Sequence, residues 1–572
     1  MSIHAYAARR DIAGLLAEID KQVSLESHDA NGQTPLMVAV ASPLADTQTL
    51  RLLLDSGANV NAVSSPPNDP AGESVLSIAS QNASLDKIKL LVEAGADVGY
   101  ADANGYGILL GAVYRSVESV EEHLAVLDFL IASGAPLDMA SKYGETAARV
   151  LSGRGQFPQL QLLLKRGADS TSLGWTPLHF ATALGTLQEV ETLLDHGASL
   201  TQRDSWGRTP FLLAVHAVRL EVAKLLLARG SDRSAKGRCG KTAPMYAIER
   251  SDAPLLGWLL TQGWDAEEPD DFGNFPLLEA VRNDSADCVQ LLLQAGANAS
   301  RETEHGGKAM KSASTPEIVH LLVAAGEDLS DTNSETRSRL TGIPLNQELK
   351  VAESDYQRNK HRRFGASNPE PMNNPFWEAM VRSRTSAYAA AAKFGDTHSI
   401  RNAVWCFQRF GHSLNQLPDG RYVEIAGEHE DSYDEDFCIY NDVVVHQGHG
   451  QFEILGYPKE DFQPTDFHSA TFVAPYIYII GNLGYYENRL PGVTPICRLH
   501  CGTWKIERVP SSGNNPGWIH GHNARLMNDR QIEISGGKIV IAEKSDLIDN
   551  ENVFILDLDN FIWRIAPDRK IV

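Results

Sequence analysis

Short apolar runs recur along the first 330 residues, and each ends at a glycine that is usually followed by alanine or serine. These glycines stand at positions 57, 95, 134, 167, 197, 230, 263, 296 and 326, and most gaps are 30 or 33 residues. A period of this length is typical of a helical unit that can bury its apolar face only against its neighbours. The pattern therefore predicts a helical solenoid with about nine repeats.

The clearest repeat opens with Thr-Pro-Leu-His-Phe-Ala at residues 176–181 and closes with the run 190–198. A capping threonine before proline starts a helix, and the glycine ends the second helix. The motif closely resembles the ankyrin repeat, and related openings begin at residues 34, 209, 242 and 275. Residues 5–19 are predicted to form an N-terminal cap. The resemblance implies two helices and a finger-like turn per repeat, with a protein partner bound in a concave groove.

In such a stack, the first helices and the fingers line the groove. Carried over repeat by repeat, the predicted contact residues on the helices are Tyr114, Arg115, Phe180, Leu184, His216, Tyr246, Arg250, Glu279 and Arg282. The finger aromatics Tyr143, Trp175, Trp206 and Phe272 are ambiguous, because half of them could instead pack between neighbouring fingers. Aromatic and arginine side chains concentrate binding energy at protein interfaces, so this mixture suits a protein or peptide partner.

The helical period fades after the last repeat. Residues 331–396 read as a junction, in which Pro375–Phe394 is predicted to form one helix. From residue 397 the alternation of apolar and polar positions predicts strands. We therefore expect an α + β multidomain protein, with an ankyrin solenoid over 1–330, a helical junction over 331–396 and an all-β domain over 397–572.

Three copies of one design can be aligned in the β region. They begin at His412, His468 and His522, and each continues with an apolar strand that leads to glycine and then with a hairpin. The design resembles the kelch motif of galactose-oxidase-type β-propeller blades. A propeller needs about four or more blades to close. Three copies predict a partial propeller, whose open edges are covered by the junction, by the solenoid or by dimerisation.

Charge changes the picture of the partner. The chain has 51 basic and 73 acidic residues and a net charge of −22, which disfavours nucleic acid and favours a basic protein. We expect no membrane association, because the chain has no run of 18 apolar residues and its first residues lack a secretion signal. Six cysteines in 572 residues make no dense disulfide framework, which indicates the cytoplasm.

The sequence contains neither a phosphate-binding glycine loop nor a nucleophile elbow. The best metal candidate is the acidic segment 428–436, in which Glu428, Glu430, Asp431 and Asp434 offer oxygen ligands suited to Ca²⁺. The segment lacks the spacing of a calcium loop, and a solvated loop or an acidic docking surface is the alternative. We therefore expect no cofactor.

The preferred hypothesis is a non-enzymatic scaffold that binds a protein partner in the ankyrin groove. A specific form of it is an inhibitor or immunity protein that blocks an enzyme with a basic active site. Two alternatives stay open. In one, the β domain is a metal-dependent enzyme or a carbohydrate-binding domain that the ankyrin repeats target. In the other, the chain is a substrate adaptor.

Overall fold

The computed structural model describes residues 2–65, 72–82, 84–115, 119–396, 403–429, 437–541 and 547–570. The chain divides into two compact units, Met1–Phe272 and Gly273–Val572. The helices are α1 (Ile3–Ala8), α2 (Ile12–Asp20), α3 (Pro35–Ala41), α4 (Thr47–Asp55), α5 (Val75–Asn82), α6 (Leu85–Glu93), α7 (Ile108–Val113), α8 (Val120–Ala132), α9 (Ala147–Gly153), α10 (Phe157–Lys165), α11 (Pro177–Leu184), α12 (Leu187–Asp195), α13 (Pro210–His216), α14 (Leu220–Ala228), α15 (Ala243–Glu249), α16 (Ala253–Thr261), α17 (Pro276–Arg282), α18 (Ala286–Gln294), α19 (Ala309–Ser312), α20 (Pro316–Ala324), α21 (Ser334–Thr341), α22 (Glu353–Asn359), α23 (Pro375–Ser383) and α24 (Ala387–Lys393).

The strands lie almost entirely in the C-terminal part of the second unit. They are β1 (Glu370–Pro371), β2 (Ser413–Gln416), β3 (Tyr422–Ile425), β4 (Glu428–His429), β5 (Cys438–Ile439), β6 (Val443–Gly448), β7 (Gln451–Gly456), β8 (Ser469–Val473), β9 (Tyr476–Ile480), β10 (Ile496–His500), β11 (Ile506–Arg508), β12 (Ser512–Gly513), β13 (Trp518–His520), β14 (Asn523–Asn528), β15 (Gln531–Ser535), β16 (Lys538–Val540), β17 (Leu547–Asp549), β18 (Asn552–Asp557) and β19 (Ile562–Lys570).

Local sequence explains where the helices of the first unit begin and end. Thr34, Thr176 and Thr209 each precede a proline and accept a hydrogen bond from a backbone N–H of the first helical turn. The second helices end before glycines with positive φ, such as Gly57 at 98° and Gly197 at 81°. Eight helix pairs, from α1–α2 to α15–α16, follow one another in this way.

The core of the first unit runs along the interfaces between pairs. Successive first helices contact each other, α3 with α5, α5 with α7, α7 with α9, α11 with α13 and α13 with α15. Leu50, Leu91, Leu130 and Leu160 on the second helices are fully buried. Because each pair is covered only by its neighbours, the stability of the unit comes from contacts between adjacent pairs.

The second unit contains two further pairs, α17–α18 and α19–α20, and the β region packs directly on the segment after α20. A short 3₁₀ turn at Leu329–Asp331 contacts β2, and α21 contacts β6. Ser330 Oγ accepts a hydrogen bond from the backbone N–H of Leu414 at 3.0 Å. The boundary predicted at residue 330 therefore lies inside one compact unit.

The junction contains two helices where the sequence predicted one over Pro375–Phe394, so that prediction is wrong. Arg384 ends α23 in a left-handed conformation, with φ 52° and ψ 30°. On α23, Trp377 is fully buried and stacks on Trp405 with ring centroids 4.7 Å apart. These side chains form a core with Val444 of the first sheet, and the junction thereby covers one face of that sheet.

Three four-stranded antiparallel meanders make up the β region: β2-β3-β6-β7, β8-β9-β10-β11 and β14-β15-β18-β19. β1 and β12 extend the first and third sheets, and β4-β5 and β13-β16-β17 form smaller ones. Ile477 and Ile479 of the second sheet belong to the core it shares with the first sheet, and Tyr478 and Ile480 to the core it shares with the third. The described strands lie in separate sheets and close into neither a barrel nor a propeller.

The inner strand β15 of the third sheet has polar residues at two positions where the other two sheets have apolar ones. When the three sheets are aligned by strand register, the same two positions are occupied by Val423 and Ile425 in the first sheet, Tyr478 and Ile480 in the second, and Glu533 and Ser535 in the third. The first two pairs are part of the apolar cores between neighbouring sheets. Glu533 and Ser535 replace them on the third sheet, so the apolar packing between sheets does not continue at these two positions.

Candidate protein-binding surface

The predicted contact residues of the first unit lie on α11 and α15, including the residue that directly follows α15, or at the C-terminal ends of α7 and α13. We call this region the first-helix surface, and we include Arg154, which directly follows α9. Its members are Tyr114, Arg115, Arg154, Phe180, Leu184, His216, Tyr246 and Arg250.

Tyr114 lies at the end of α7, and it is 40% exposed. Its hydroxyl donates to Glu145 Oε1 at 2.9 Å, while Glu145 Oε2 accepts from the Tyr106 hydroxyl at 2.6 Å. Partial burial and the Glu145 hydrogen bond raise the pKa of Tyr114 to about 12, so the phenol is neutral. The Arg154 guanidinium lies 5.9 Å from the centre of its ring. Together they present an aromatic ring beside a cation.

Arg115 is more enclosed than the sequence predicted. Only 13% of its side chain is exposed, and it forms an ion pair with Glu122 at 3.1 Å. Phe180 and Leu184 on α11 are both half-buried. Phe180 meets the ring of Trp175 edge-to-face at 5.1 Å, which fixes its orientation. This part of the surface is mainly apolar.

His216 and Tyr246 were predicted as contact residues, but both are buried, with exposures of 1% and 5%. Their ring centroids are 5.0 Å apart. These two side chains cannot contact a partner directly. They form the support beneath the exposed residues.

Arg208 organises that support, and the sequence analysis missed it. Its Nε and Nη2 donate to Asp204 Oδ2 at 2.9 and 2.7 Å, and its Nη1 donates to the Ser152 carbonyl at 2.8 Å. Nη1 also donates to His216 Nδ1 at 2.7 Å. Burial and the Arg208 charge hold the pKa of His216 well below its usual range, so the ring is neutral and can accept this bond. An arginine beside a finger glycine is ordinarily solvated, so the sequence gives little reason to expect it to be buried. The one sequence feature that indicates an ion pair is Asp204, four residues earlier.

Arg250 is exposed at the end of α15, next to Gly155. A Cβ atom at residue 155 would lie 2.7 Å from His216 Nε2 and 3.1 Å from Arg250 Cδ. Gly155 also has a positive φ of 67°. Glycine at this position is therefore required both by the backbone and by the side chains that pack over it.

Two of the four finger aromatics pack against the protein. Trp175 Nε1 donates to Asp204 at 3.3 Å, and Trp206 Nε1 donates to the Arg149 carbonyl at 3.0 Å. Both indoles are half-buried. Tyr143 and Phe272 are 65% and 66% exposed, and they remain available for contact.

The remaining predicted contact residues, Glu279 and Arg282, lie on α17 in the second unit. They form an ion pair at 3.0 Å, and Arg282 also donates to Asn274 Oδ1 at 2.9 Å. A partly exposed ion pair of this kind contributes only about 0.3–0.5 kcal/mol to stability.

The structure describes only one of the four predicted metal ligands. Glu428 lies on β4, whereas Glu430, Asp431 and Asp434 fall outside the described residues. In the part of the chain that the structure describes, no three His, Cys, Asp or Glu side chains are placed to hold a metal ion together.

Two of the three histidines that open the β copies, His468 and His522, connect neighbouring sheets. Ser413 Oγ and His468 Nε2 are 2.8 Å apart, and Ser469 Oγ and His522 Nε2 are also 2.8 Å apart. Burial lowers the pKa of His468 and His522 to about 3, so both rings are neutral at physiological pH. Each sheet is thus hydrogen-bonded to the next through one serine and one histidine.

The helices are all short. Among those described, none has the length and apolar character needed to cross a membrane.

Comparison with known proteins concerns the helical part of the chain. The chain is 33% identical over 155 residues to human ankyrin repeat domain-containing protein 63, and this stretch covers 26% of the chain and 38% of that protein. The mouse B-cell lymphoma 3 protein homolog is 30% identical over 178 residues, which is 30% of this chain and 38% of that protein. A palmitoyltransferase of Lachancea kluyveri is 29% identical over 124 residues, or 21% and 17% of the two chains. The chain spans less than two fifths of the length of these relatives.

A family model described as "Ankyrin repeats (3 copies)" matches residues 3–102, 109–204, 146–237 and 245–333. These segments cover more than half of the chain and coincide with the helix pairs from α1–α2 to α19–α20. No such match supports the kelch-like interpretation of the β region. Ankyrin repeats imply a role in protein–protein interaction. The chain belongs to the ankyrin-repeat family.

Proposed function

We propose that the chain is a non-enzymatic scaffold that binds a protein partner through its first-helix surface. The observation that carries this proposal is the exposed group of Tyr114, Arg154 and Arg250 above a rigid, buried support. Aromatic and arginine side chains dominate the binding energy of protein interfaces. Glu145 holds the Tyr114 hydroxyl and the Val113 carbonyl accepts from the Arg154 guanidinium, so two of the three side chains are positioned before binding, which lowers the entropic cost of association.

The support beneath the surface favours recognition rather than catalysis. His216 has a pKa held below its usual range, but it is buried and bonded to Arg208, so it cannot exchange protons with a bound substrate. Tyr114 is neutral and bonded to Glu145. Both titratable groups serve to hold the surface in shape.

The charge of the chain suggests the kind of partner. A net charge of −22 attracts basic proteins over long range, while the local arginines would contact acidic side chains or carbonyl groups of the same partner. An inhibitor that blocks a basic active site is one form that fits this charge. The cysteines form no disulfide among the described residues, in keeping with a cytoplasmic protein.

For the β region we propose kelch-like blades. The support is the threefold recurrence of a four-stranded meander that opens after histidine, with matching serine–histidine bonds between sheets. A second copy of the chain is a candidate partner of this region. β14 is an edge strand, and Leu526 and Met527 on it are 38% and 36% exposed.

The proposal is tested by affinity capture from a lysate of the source cells, followed by binding measurements with the captured partner. The full-length variant Tyr114→Ala/Arg250→Ala should bind at least about 30-fold more weakly, since each hot-spot side chain contributes about 2 kcal/mol. A matched control, Leu187→Ala/Lys224→Ala, removes an exposed apolar residue and a cation from second helices.

The control should bind like the unchanged chain. Equal affinity of the Tyr114→Ala/Arg250→Ala variant and the unchanged chain would refute the proposed surface. Catalytic turnover of a captured protein or ligand would refute the non-enzymatic role.

A further inference from the structure

A cavity of about 420 Å³ lies in the second unit, where four separate segments of the chain meet. The segments are residues 332–337 at the start of α21, residues 384–387 between α23 and α24, residues 406–410, and His429 on β4. Three arginines, Arg337, Arg384 and Arg409, line this cavity. Such a concentration of positive groups is unexpected in a chain with a net charge of −22.

Two of the three arginines are paired. Arg409 forms an ion pair with Asp442 and donates to the Cys406 carbonyl at 2.7 Å through Nε. Arg337 lies 3.7 Å from Glu424 and donates to the Ser330 carbonyl at 3.0 Å. Their charges are largely balanced by these carboxylates.

Arg384 is not balanced in this way. In the described part of the chain no carboxylate forms an ion pair with it, and the only hydrogen bond of its side chain runs from Nη1 to the Ser334 carbonyl at 3.4 Å. Burial lowers the pKa of Arg384, and the charge of Glu424, which acts on it from beyond ion-pair distance, does not reverse that shift. A guanidinium that is removed from water and left unpaired is costly to the fold.

The unpaired atoms of Arg384 are the two that ordinarily bind an oxyanion. Nε and Nη2 lie on one edge of the guanidinium, and a carboxylate or phosphate binds this edge through two parallel hydrogen bonds. The buried Arg208 of the first unit uses this edge on Asp204, at 2.9 and 2.7 Å. In Arg384 both nitrogens are buried and hydrogen bond to none of the described residues.

The backbone of Arg384 carries a second cost. Its φ of 52° is in the left-handed region, where helices most commonly end with glycine. A non-glycine residue in this conformation is strained. Two unfavourable features at one residue on the wall of a cavity indicate that the side chain has a task other than stabilising the fold.

We propose that this cavity binds a small molecule bearing a carboxylate or phosphate group, and that Arg384 is its principal anchor. The volume falls in the range of small-molecule sites, roughly 300–1,000 Å³. Arg337 lines the same cavity, and its Nε is also buried and unbonded within the described chain. This site is independent of the first-helix surface.

The site is tested by calorimetric titration of the full-length protein with inorganic phosphate and, separately, with citrate, at constant ionic strength. We expect saturable binding of at least one anion, and the preferred anion identifies the chemistry of the ligand. Arg384→Gly should weaken that binding at least tenfold. Arg339→Gln, which alters an exposed arginine of α21 paired with Glu335, should leave the affinity unchanged.

The unliganded Arg384→Gly variant should unfold at an equal or higher denaturant concentration than the unchanged chain, because glycine suits the backbone and the unpaired charge is gone. If that variant folds poorly, Arg384→Lys keeps the charge but lacks the two-nitrogen edge, and it should also bind at least tenfold more weakly. Absence of saturable binding to the unchanged chain, or equal affinity in the Arg384 variants, would overturn the proposal.

Discussion

Arg208 illustrates how a single side chain sets the stability of the candidate surface. It is fully buried, and it neutralises Asp204 while bonding to Ser152 and His216. Arg208→Gln would leave Asp204 as an uncompensated buried charge, so we expect a loss of about 3–5 kcal/mol in the free energy of unfolding. Denaturant titration followed by circular dichroism measures the loss.

The control for this prediction is Arg229→Gln. Arg229 pairs with Asp195 at 2.7 Å on the surface, with both side chains partly exposed. Such a pair contributes about 0–1 kcal/mol. A similar loss in both variants would mean that the buried network does not stabilise the first unit in the manner described.

Three enclosed histidines of the β region predict sensitivity to acid. Burial lowers the pKa of His412 to about 4 and that of His468 and His522 to about 3, against about 6.5 in the unfolded chain. The unfolded state therefore binds more protons below pH 6.5. Their stabilising contribution is complete above that pH and falls as the pH drops towards 4, by up to about 1.4 kcal/mol per pH unit for each histidine.

Other charged groups act on the same histidines. Arg337, Arg409 and Glu424 face His412, and the Arg337 charge and the His446 hydrogen bond lower the pKa of Glu424. Protonation of Glu424 extends the loss below about pH 4.5. Unfolding free energies measured at pH 7.5, 6 and 5 should decrease in that order. His468→Asn should reduce the slope and the exposed His28→Asn should not; a slope that is flat in the unchanged chain would contradict the account.

At the residue scale, the sequence predicted which positions carry candidate contact residues better than it predicted whether those side chains are exposed. Tyr114 and Arg250 are exposed as expected, while His216, at the position equivalent to Tyr114, and Tyr246, at the position equivalent to Phe180, are buried. His216 bonds to Arg208, which also reaches the Ser152 carbonyl of an earlier repeat. A periodic pattern assigns a position within one repeat, but it does not contain the contacts that side chains make across repeats.

Among the elements, the fit of the finger that carries Trp206 against α9 depends on a small residue. A Cβ atom on Gly153, in α9, would lie 2.5 Å from Trp206 Cε2. Alanine normally favours a helix over glycine by up to about 1 kcal/mol. Gly153→Ala should nevertheless lower the free energy of unfolding by about 1–3 kcal/mol, because Trp206 must be displaced.

A double-mutant cycle checks the cause of that loss. In a Trp206→Ala background the added methyl group has room, so Gly153→Ala should be neutral or stabilising there. The same loss in both backgrounds would show that the steric explanation is wrong.

Helix starts and ends were predictable because they depend on local chemistry. Thr176 before Pro177 caps α11, and Gly197 ends the unit in a left-handed conformation, as the sequence indicates. The break at Arg384 was not predicted. The alanine-rich residues 387–392 favour a helix, but α23 ends at Arg384 in a left-handed conformation and α24 starts at a cap of its own, where the Ser386 hydroxyl accepts a hydrogen bond from the Ala389 N–H.

For the whole molecule, the repeat period predicted the ankyrin part, and the period-2 pattern predicted the sheets. Which residues lie on the last face of the third sheet could be seen only in the structure. Alternation alone does not distinguish Glu533 and Ser535, which lie outside the apolar cores, from Tyr478 and Ile480, which are packed against another sheet. The compact division at residue 272 likewise arises from packing of the last helical elements on the first sheet.

The central claim is that a protein partner binds the first-helix surface, and hydrogen–deuterium exchange of the full chain with and without its captured partner tests it most directly. Peptides that cover residues 108–115, 177–184 and 243–250 should exchange more slowly in the complex. Peptides from the second helices α12 and α14 should be unchanged. Protection confined to the second helices or to the β region would contradict the account.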